Sequence, residues 1–371
     1  MYPYKSVWLR TKRSGVRVPH GAPRNKHPAG ACFAYNAAFR RNIISEFAVK
    51  QFTVGKNDAG QRLDKFITKA VPALPQSLMY KEIRRKYIKI NGMRAQISDK
   101  LAEGDVVTLY VKDEFFVPVR ERFDFLTASK KLDIVYEDEN LMLLNKSVGV
   151  LSHPDNNEYN DTLISRVQRY LYEKGEYDPR DENSFTPALV NRIDRNTGGI
   201  VIAAKNAESL RILNQKLKNR EIHKYYLCVV HGILKKKSGV LEAWMIKDEN
   251  KNKAEVFDSE VPGGKLMKTK YSVVAEKNDL SLVEVELLTG RTHQIRAQFA
   301  HIGHPLLGDG KYGTNALNKK YGYKKQFLYS QKLKFDFESE AGILEYLDGR
   351  EFETEEVWFK KEFLSGELFV K

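Results

Sequence analysis

The 371-residue sequence contains only two cysteines, Cys32 and Cys228, which lie far apart in the chain. This number and spacing exclude a disulfide framework and a cysteine-based zinc cluster. The sequence also lacks any apolar run near the roughly 18 residues that a membrane-spanning helix requires. We therefore expect a protein of the reducing cytoplasm that binds no membrane.

Two further signals are missing. The sequence has no internal repeat, and its best candidate for a phosphate loop, residues 197–199, lacks the glycine spacing and the lysine of a P-loop. Nucleotide binding through a P-loop is therefore excluded. The chain is long enough for one large and one small domain, each with its own core.

Positive charge dominates the composition, and the formal net charge of +14 suggests a polyanionic partner. Its distribution is uneven, because residues 1–45 contain nine lysines and arginines and no acidic residue. Removing these nine charges from the +14 leaves +5 for the rest of the chain. Most of the protein is therefore only mildly basic.

Residues 1–45 have no long apolar core, so they do not form a secretory signal. The stretch 14–23 reads like one frame of a transfer-RNA gene, whose T arm encodes Val-Arg. We predict a spurious or disordered basic leader over 1–45, with the true start of the protein near residues 43–54. An organellar transit peptide and a functional basic arm are the alternatives.

Residues 52–112 have the pattern of a small domain. Apolar residues at 63, 66, 67 and 70 predict an amphipathic helix, which prolines at 72 and 75 end. A second helix is predicted after Ser77 as N-cap, with apolar positions 79, 83 and 87 on one face. Asn91-Gly92 predicts a tight hairpin turn, and residues 106–111 predict a closing strand.

The basic charge is concentrated in this small domain. Between Arg62 and Arg94 nine lysines and arginines face two acidic residues, a local net charge of +7. A solvated helix face is the plain alternative to RNA binding. The predicted RNA-contacting residues, including two from a later segment, are Arg62, Lys65, Lys81, Arg84, Arg85, Lys86, Lys89, Arg192 and Arg195.

Two short motifs strengthen the RNA-binding interpretation. R-L-D-K-F (62–66) and Y-I-K-I-N-G (87–92) resemble the alpha-L RNA-binding module of ribosomal small-subunit protein four. The resemblance implies that 52–112 is an alpha-L domain that binds folded RNA through phosphate contacts, which position a partner without reading its sequence.

Residues 113–130 carry mixed charges and Pro118, and they are predicted to form a linker. A larger domain follows over 131–371. Its apolar patterns predict a hairpin around 134–144, helices around 163–171 and 210–217, and several later strands. Because strands and helices do not alternate regularly, an α+β fold with a mixed, mainly antiparallel sheet and flanking helices is favoured.

The segment 190–200 holds the most informative carboxylate. Asp194 is predicted at a strand end, between Arg192 and Arg195, whose guanidinium groups favour its ionised form. An ionised carboxylate beside an apolar strand is a candidate nucleophile or base. An aspartate in a charged surface turn is the alternative.

A second polar segment, 289–296, leads into a predicted helix whose inward face holds positions 295, 299 and 302. Arg291 lies at the approach to that helix, where it can pair with a carboxylate or phosphate. A surface arginine at a helix start is the alternative. The three histidines at 293, 301 and 304 lack a carboxylate or cysteine at ligand spacing, so no metal site is predicted.

Four ordered motifs now carry a resemblance that covers roughly residues 131–335. N-R-I-D-R-N-T-G-G (191–199), K-Y-Y-L-C-V-V-H-G (224–232), G-R-T-H-Q-I-R (290–296) and H-I-G-H-P-L-L-G-D (301–309) resemble those of RluA-type pseudouridine synthases. N-K-S-V-G-V-L-S-H-P (145–154) is similar to the opening motif. The resemblance implies a pseudouridine synthase catalytic domain over 131–371.

The resemblance also implies roles for single residues. Asp194 is the catalytic aspartate, Tyr226 the active-site tyrosine that meets the base, and Arg291 the arginine that pairs with the aspartate. Taken alone, Tyr226 would be a core tyrosine of an apolar strand. Three positions depart from the family's pattern, where His, Ser and Pro are usual: Asn191, Gly199 and Ser147.

A pseudouridine synthase isomerises uridine without redox change or net hydrolysis, so no cofactor is expected. The expected partner is structured RNA, and the protein is expected to act as a monomer. The basic small domain favours large-subunit ribosomal RNA. Transfer RNA as the substrate, a noncatalytic RNA-binding ribosome-assembly factor and a hydrolytic N-glycosidase are the alternatives.

Overall fold

The structure is a computed structural model that describes residues 48–369 apart from 117–118, 156–157, 249–252, 314–315, 317, 320–321 and 324. The predicted leader, 1–45, lies outside the described residues, and its hypothesis stays a prediction. The chain from Val49 to Lys371 forms one compact unit.

The N-terminal part of that unit contains a four-stranded sheet in the order β1-β4-β2-β3 and two helices. Its core includes Leu63, Phe66, Met79 and Ile83, so both helices bury the apolar face that their spacing predicts. The elements are β1 (Ala48–Thr53), α1 (Leu63–Ala70), α2 (Gln76–Arg84), β2 (Ile88–Ile90), β3 (Met93–Arg94) and β4 (Val106–Val111).

Local signals in this region are mostly confirmed. Asn91 and Gly92 both have positive φ, 51° and 74°, as a two-residue hairpin turn requires. The predicted N-cap at Ser77 is wrong, because Pro75 precedes the first helical residue and α2 has no side-chain cap. Tyr87 lies beyond the helix, since Lys86 has a positive φ of 66° and turns the chain.

The larger part is built on an eleven-stranded sheet in the order β11-β10-β12-β13-β9-β14-β8-β6-β5, with β15 on β14 and β7 on β8. Its strands are β5 (Ile134–Glu137), β6 (Leu141–Lys146), β7 (Ala188–Leu189), β8 (Gly198–Ala204), β9 (Ile222–His231), β10 (Ser238–Asp248), β11 (Lys253–Phe257), β12 (Lys265–Lys277), β13 (Leu280–Leu287), β14 (Leu328–Phe335) and β15 (Glu351–Glu353).

The sheet is mixed and mainly antiparallel, as predicted. The pair β14 with β8 is parallel, while the other paired strands of this sheet are antiparallel. The flanking helices are α3 (Leu163–Glu173), α4 (Ala207–Asn219), α5 (Gln294–His301) and α6 (Lys360–Ser365). The α+β fold class is therefore confirmed. Strands β10, β11 and β15 of this sheet were not predicted from the sequence.

Residue alternation in the central strands decides which helix covers which face. In β6, Met142 and Leu144 join the core that contains α3 and α5, whereas Leu141 and Leu143 join the core that contains α4. In β9, Tyr226 points to the α3 and α5 side with the same alternation. The strand period therefore places Tyr226 on the face where α5 packs.

The segment predicted as a linker, 113–130, contains two 3-10 helices, Asp113–Phe115 and Val119–Thr127. Phe125 is buried in the larger core, where its ring packs against Tyr172 and Tyr177. The domain boundaries themselves stay a prediction. No helix within the described ranges is both long and apolar enough to cross a membrane.

The small and large parts are joined by a buried carboxylate. Asp58, 1% exposed, accepts hydrogen bonds from the Ser184 backbone N–H at 3.1 Å and the Ser184 hydroxyl at 2.5 Å. It also accepts from the Asn183 side-chain amide at 2.8 Å. Since charged hydrogen bonds are stronger than neutral ones, this contact fixes the N-terminal part on the larger one.

Candidate active site

Asp194 lies in the loop 190–197, between β7 and β8. Strand β7 ends at Leu189, so Asp194 follows the strand end by five residues rather than occupying it. Several hydrogen bonds hold the loop. Among them, the Ile202 N–H donates to the Asn191 side-chain oxygen at 2.8 Å, and the Ser152 hydroxyl donates to the Ile193 carbonyl at 3.0 Å. The Asn191 side chain thus ties the loop to β8.

One oxygen of the Asp194 carboxylate is held by α5. Arg296 Nη1 donates to Asp194 Oδ2 at 2.7 Å, and His293 Nε2 lies 3.7 Å from the same oxygen. The Asp194 side chain is 31% exposed, whereas the Arg296 side chain is 9% exposed. The ion pair therefore joins a buried cation to a carboxylate that opens onto a cavity.

Arg296 is itself fixed by a second carboxylate. Its Nε donates to Asp309 Oδ2 at 2.7 Å and its Nη2 donates to Asp309 Oδ1 at 3.1 Å, a bidentate pair. Burial raises the pKa of Asp309, but the hydrogen bonds and charge of Arg296 outweigh it and hold that pKa below its ordinary value. The guanidinium is thus oriented without substrate.

The prediction that Arg291 pairs with the aspartate is wrong. Arg291 is exposed, and its Nε donates to the Leu266 carbonyl at 3.2 Å. Arg296 reaches Asp194 instead, because it lies in the first turn of α5 beside the buried Ile295. The sequence held a signal for this, since an arginine among inward-facing helical positions needs a buried partner.

The structure brings Asp194, Tyr226 and Arg291 to one cavity of about 540 Å³, which Arg192 and Arg296 also line. Tyr226, 6% exposed, projects from β9. Burial raises the pKa of its hydroxyl to about 12, so the phenol is neutral at physiological pH. The cavity volume lies in the range that holds a small ligand such as a nucleotide.

The three histidines of the 293–304 segment face different partners. His293 Nδ1 lies 3.0 Å from the Tyr312 hydroxyl, His301 Nε2 lies 2.7 Å from Asp258, and His304 Nδ1 lies 2.8 Å from the His231 carbonyl. Burial lowers the pKa of His293 to about 4 despite the opposing charge of Asp194. His293 is therefore a neutral imidazole at physiological pH.

A family model for RNA pseudouridylate synthase matches residues 140–301. A Mycoplasma capricolum protein named as an uncharacterized RNA pseudouridine synthase is 34% identical over 308 residues, which cover 81% of this chain and 95% of that protein. The chain belongs to the RNA pseudouridine synthase family. A Vibrio vulnificus ribosomal large subunit pseudouridine synthase C is 31% identical over 76% of this chain and 87% of its own length.

The synthase contains a buried lysine that sequence reasoning did not single out. Lys146, 1% exposed, donates from Nζ to the carbonyls of Val150 at 2.7 Å, Ser147 at 3.1 Å and Arg195 at 3.2 Å. It thereby joins the loop after β6 to the loop that carries Asp194. Burial lowers the pKa of Lys146 to about 7, and this effect outweighs the negative charge of Asp194, which acts in the opposite direction.

The predicted RNA-contacting residues lie mostly at the surface of the synthase. All are exposed except Lys89, which is partly buried with Nζ 5.5 Å from the centre of the Tyr110 ring. Two pair with acidic side chains, Arg62 with Asp64 at 3.0 Å and Arg85 with Glu82 at 3.4 Å. Arg195 Nε donates to the Gly149 carbonyl at 3.0 Å.

Proposed function

We propose that this enzyme isomerises specific uridines to pseudouridine in large-subunit ribosomal RNA, with Asp194 as its catalytic carboxylate. The observation that carries the proposal is the Asp194 side chain, which opens onto the cavity while Arg296 holds Oδ2 at 2.7 Å. A buried guanidinium balances the carboxylate charge at the place where the reaction needs it.

The reaction breaks the bond between ribose C1′ and uracil N1 and forms a bond between C1′ and C5. The C5 hydrogen then leaves as a proton and N1 gains one, so atoms and electrons balance without a cofactor. Asp194 either attacks the nucleotide or removes a proton from it, and both routes require its ionised form. A carboxylate can trap or stabilise an electron-poor sugar carbon, as in glycoside chemistry.

Tyr226 is proposed to meet the uracil once the uridine has left its stack. Its buried phenol lines the same cavity as Asp194, and its raised pKa keeps it uncharged beside the carboxylate. Flipping a base costs a few kcal/mol, which favours uridines in loops and bulges. The apolar strand surroundings help to hold the detached base away from water.

The choice of ribosomal RNA rests on the N-terminal part. We propose that residues 52–112 form an alpha-L module whose exposed basic residues contact phosphates of a folded RNA. Asp58 holds this part against the larger one, so its phosphate contacts would constrain which uridine enters the cavity. The relative from Vibrio vulnificus, named for the ribosomal large subunit, favours the same choice. Transfer RNA is the alternative substrate.

The first test is pseudouridine mapping by carbodiimide-based primer-extension stops, on ribosomal and transfer RNA from cells that lack the protein. We expect particular ribosomal sites to be lost, and to return with the wild type but not with Asp194→Asn. Asp336→Asn, at an exposed carboxylate, serves as the matched control. Return of the sites with Asp194→Asn would refute the assignment of Asp194, and loss confined to transfer RNA would favour the alternative substrate.

The module is tested separately through the salt dependence of RNA binding. Arg84→Ala with Arg85→Ala removes two exposed charges from the end of α2, and Lys235→Ala with Lys236→Ala removes two from the loop after β9. We expect the first pair to reduce the slope of log K against log salt by up to about two, and the second pair to leave it unchanged. Equal slopes for both pairs would contradict the module proposal.

A further inference from the structure

The two oxygens of the Asp194 carboxylate are treated differently by the protein. Arg296 Nη1 and His293 Nε2 both face Oδ2, at 2.7 Å and 3.7 Å. In the part of the chain that the structure describes, no side chain or backbone N–H donates to Oδ1. The carboxylate is therefore anchored through one oxygen, and the other is left for the substrate.

The hydrogen bonds around Tyr312 favour one tautomer of the His293 ring. The Ala254 backbone N–H donates to the Tyr312 oxygen at 2.7 Å. The Tyr312 hydroxyl still has its own proton to donate, and His293 Nδ1, 3.0 Å away, is the acceptor that we assign to it. An Nδ1 that accepts a hydrogen bond leaves the proton of the neutral ring on Nε2.

The charges around His293 oppose one another. Asp194 and Asp309 favour a protonated ring, whereas Arg296 and Lys311 disfavour it. The Lys253 ammonium also lies 5.2 Å from the centre of the Tyr312 ring. Burial is the largest influence, and it also disfavours the protonated ring. The ring is therefore neutral, and in this tautomer it presents an Nε2–H dipole to the aspartate.

We propose that His293 is a positioning residue for Asp194, with its tautomer fixed by Tyr312. The inference rests on the proposed function of Asp194. At 3.7 Å, which is longer than a hydrogen bond, the Nε2–H dipole attracts Oδ2 and biases the carboxylate so that Oδ1 points to the nucleotide, and a neutral donor does not cancel its charge. The opposite tautomer would place a nitrogen lone pair against the carboxylate and push it out of position.

The tautomer is read directly by ¹⁵N NMR of histidine-labelled enzyme without substrate, with His293→Gln used to assign the signal. We expect a protonated Nε2 and an unprotonated Nδ1 in the wild type at pH 7, and a shift toward the Nδ1–H form in Tyr312→Phe. Tyr271→Phe is the matched control, because its hydroxyl donates to the Lys236 carbonyl instead. An Nδ1–H tautomer in the wild type would overturn the proposal.

Kinetics test the positioning role. We expect Tyr312→Phe to lower kcat about tenfold with KM for RNA unchanged, since orientation rather than binding is lost. His293→Gln, which keeps an N–H donor, should retain several-fold more activity than His293→Leu, and His301→Gln should match the wild type. A change in KM alone, or equal loss in the Gln and Leu variants, would refute positioning.

The two proposals fail in different ways. If Asp194→Asn retained full activity, the catalytic assignment would fall and His293 would lose its role in the reaction. If Asp194→Asn were inactive while Tyr312→Phe kept the wild-type kcat, the catalytic assignment would stand and the positioning role alone would be refuted.

Discussion

Arg296 joins two aspartates that are 115 residues apart in the chain, Asp194 and Asp309. Its Nη1 donates to the first, and its Nε and Nη2 donate to the second. Asp309 is 1% exposed, so it has no solvent to replace a lost partner. The guanidinium is therefore both a structural tie and the counter-charge of the proposed catalytic carboxylate.

Substitution of each arginine in turn distinguishes the role of Arg296 from that of Arg291. We expect Arg296→Met to lower kcat at least about a hundredfold and to destabilise the fold by roughly 3–5 kcal/mol, because the buried Asp309 carboxylate loses its cationic partner. Arg291→Met, which loses only an exposed contact to a carbonyl, should keep kcat within a few-fold and weaken RNA binding instead. Steady-state kinetics and thermal unfolding of both variants check this. A larger loss of kcat in Arg291→Met would restore the original prediction.

Gly199 lies at a position where the backbone leaves no room for a side chain. Its φ is +110°, and an added Cβ would collide with the carbonyl oxygen of Ser330 on the parallel strand β14. We expect Gly199→Ser to lower the free energy of unfolding by roughly 2–4 kcal/mol. Gly310→Ala, with no positive φ and open space at the Cβ, should cost less than about 1 kcal/mol in the same urea titration. Equal costs would contradict the steric explanation.

From the lowered pKa of the Lys146 amine we predict that the stability of the protein depends on pH. Its pKa is about 7 in the folded protein, well below the ordinary 10.5, so between these values only the unfolded chain keeps the proton. Stability from this group therefore rises with pH above about 7, by at most about 1.4 kcal/mol per unit. The stability advantage of the wild type over Lys146→Met should grow between pH 7 and 9. The advantage over Lys130→Met, at an exposed lysine, should stay constant.

From the hydrogen bonds of Asp58 we predict that the contact between the N-terminal part and the larger part can be weakened without unfolding the N-terminal part. Asp58→Asn weakens the hydrogen bonds from Asn183 and Ser184, and we expect a loss of roughly 1–3 kcal/mol. Hydrogen exchange should accelerate at 183–184 on the larger part. Asp105→Asn, whose lost bonds to Asn91 and Ala102 lie within the small part, should leave 183–184 unchanged. Unchanged exchange in Asp58→Asn would contradict the fixed contact.

The sequence by itself determined the features that depend on neighbouring residues. The helix over 63–70, the Asn91-Gly92 turn and the two-faced burial of β6 follow from apolar spacing and from backbone preferences. The ordered motifs also indicated the family and the cavity shared by Asp194 and Tyr226. These signals are local or are carried by whole motifs, so they can be recognised in the sequence without knowledge of the tertiary structure.

Only the tertiary structure decided which side chain meets Asp194. Arg291 and Arg296 lie in one motif, and spacing alone does not tell which of them reaches an oxygen contributed by a loop 102 residues away. His293, with a left-handed φ of 55°, turns the chain into α5 and directs Arg296 inward. The contacts of Tyr312 with His293 and of Lys146 with Arg195 could not be predicted from the sequence either. Hydrogen bonds between distant segments depend on how the strands and helices pack.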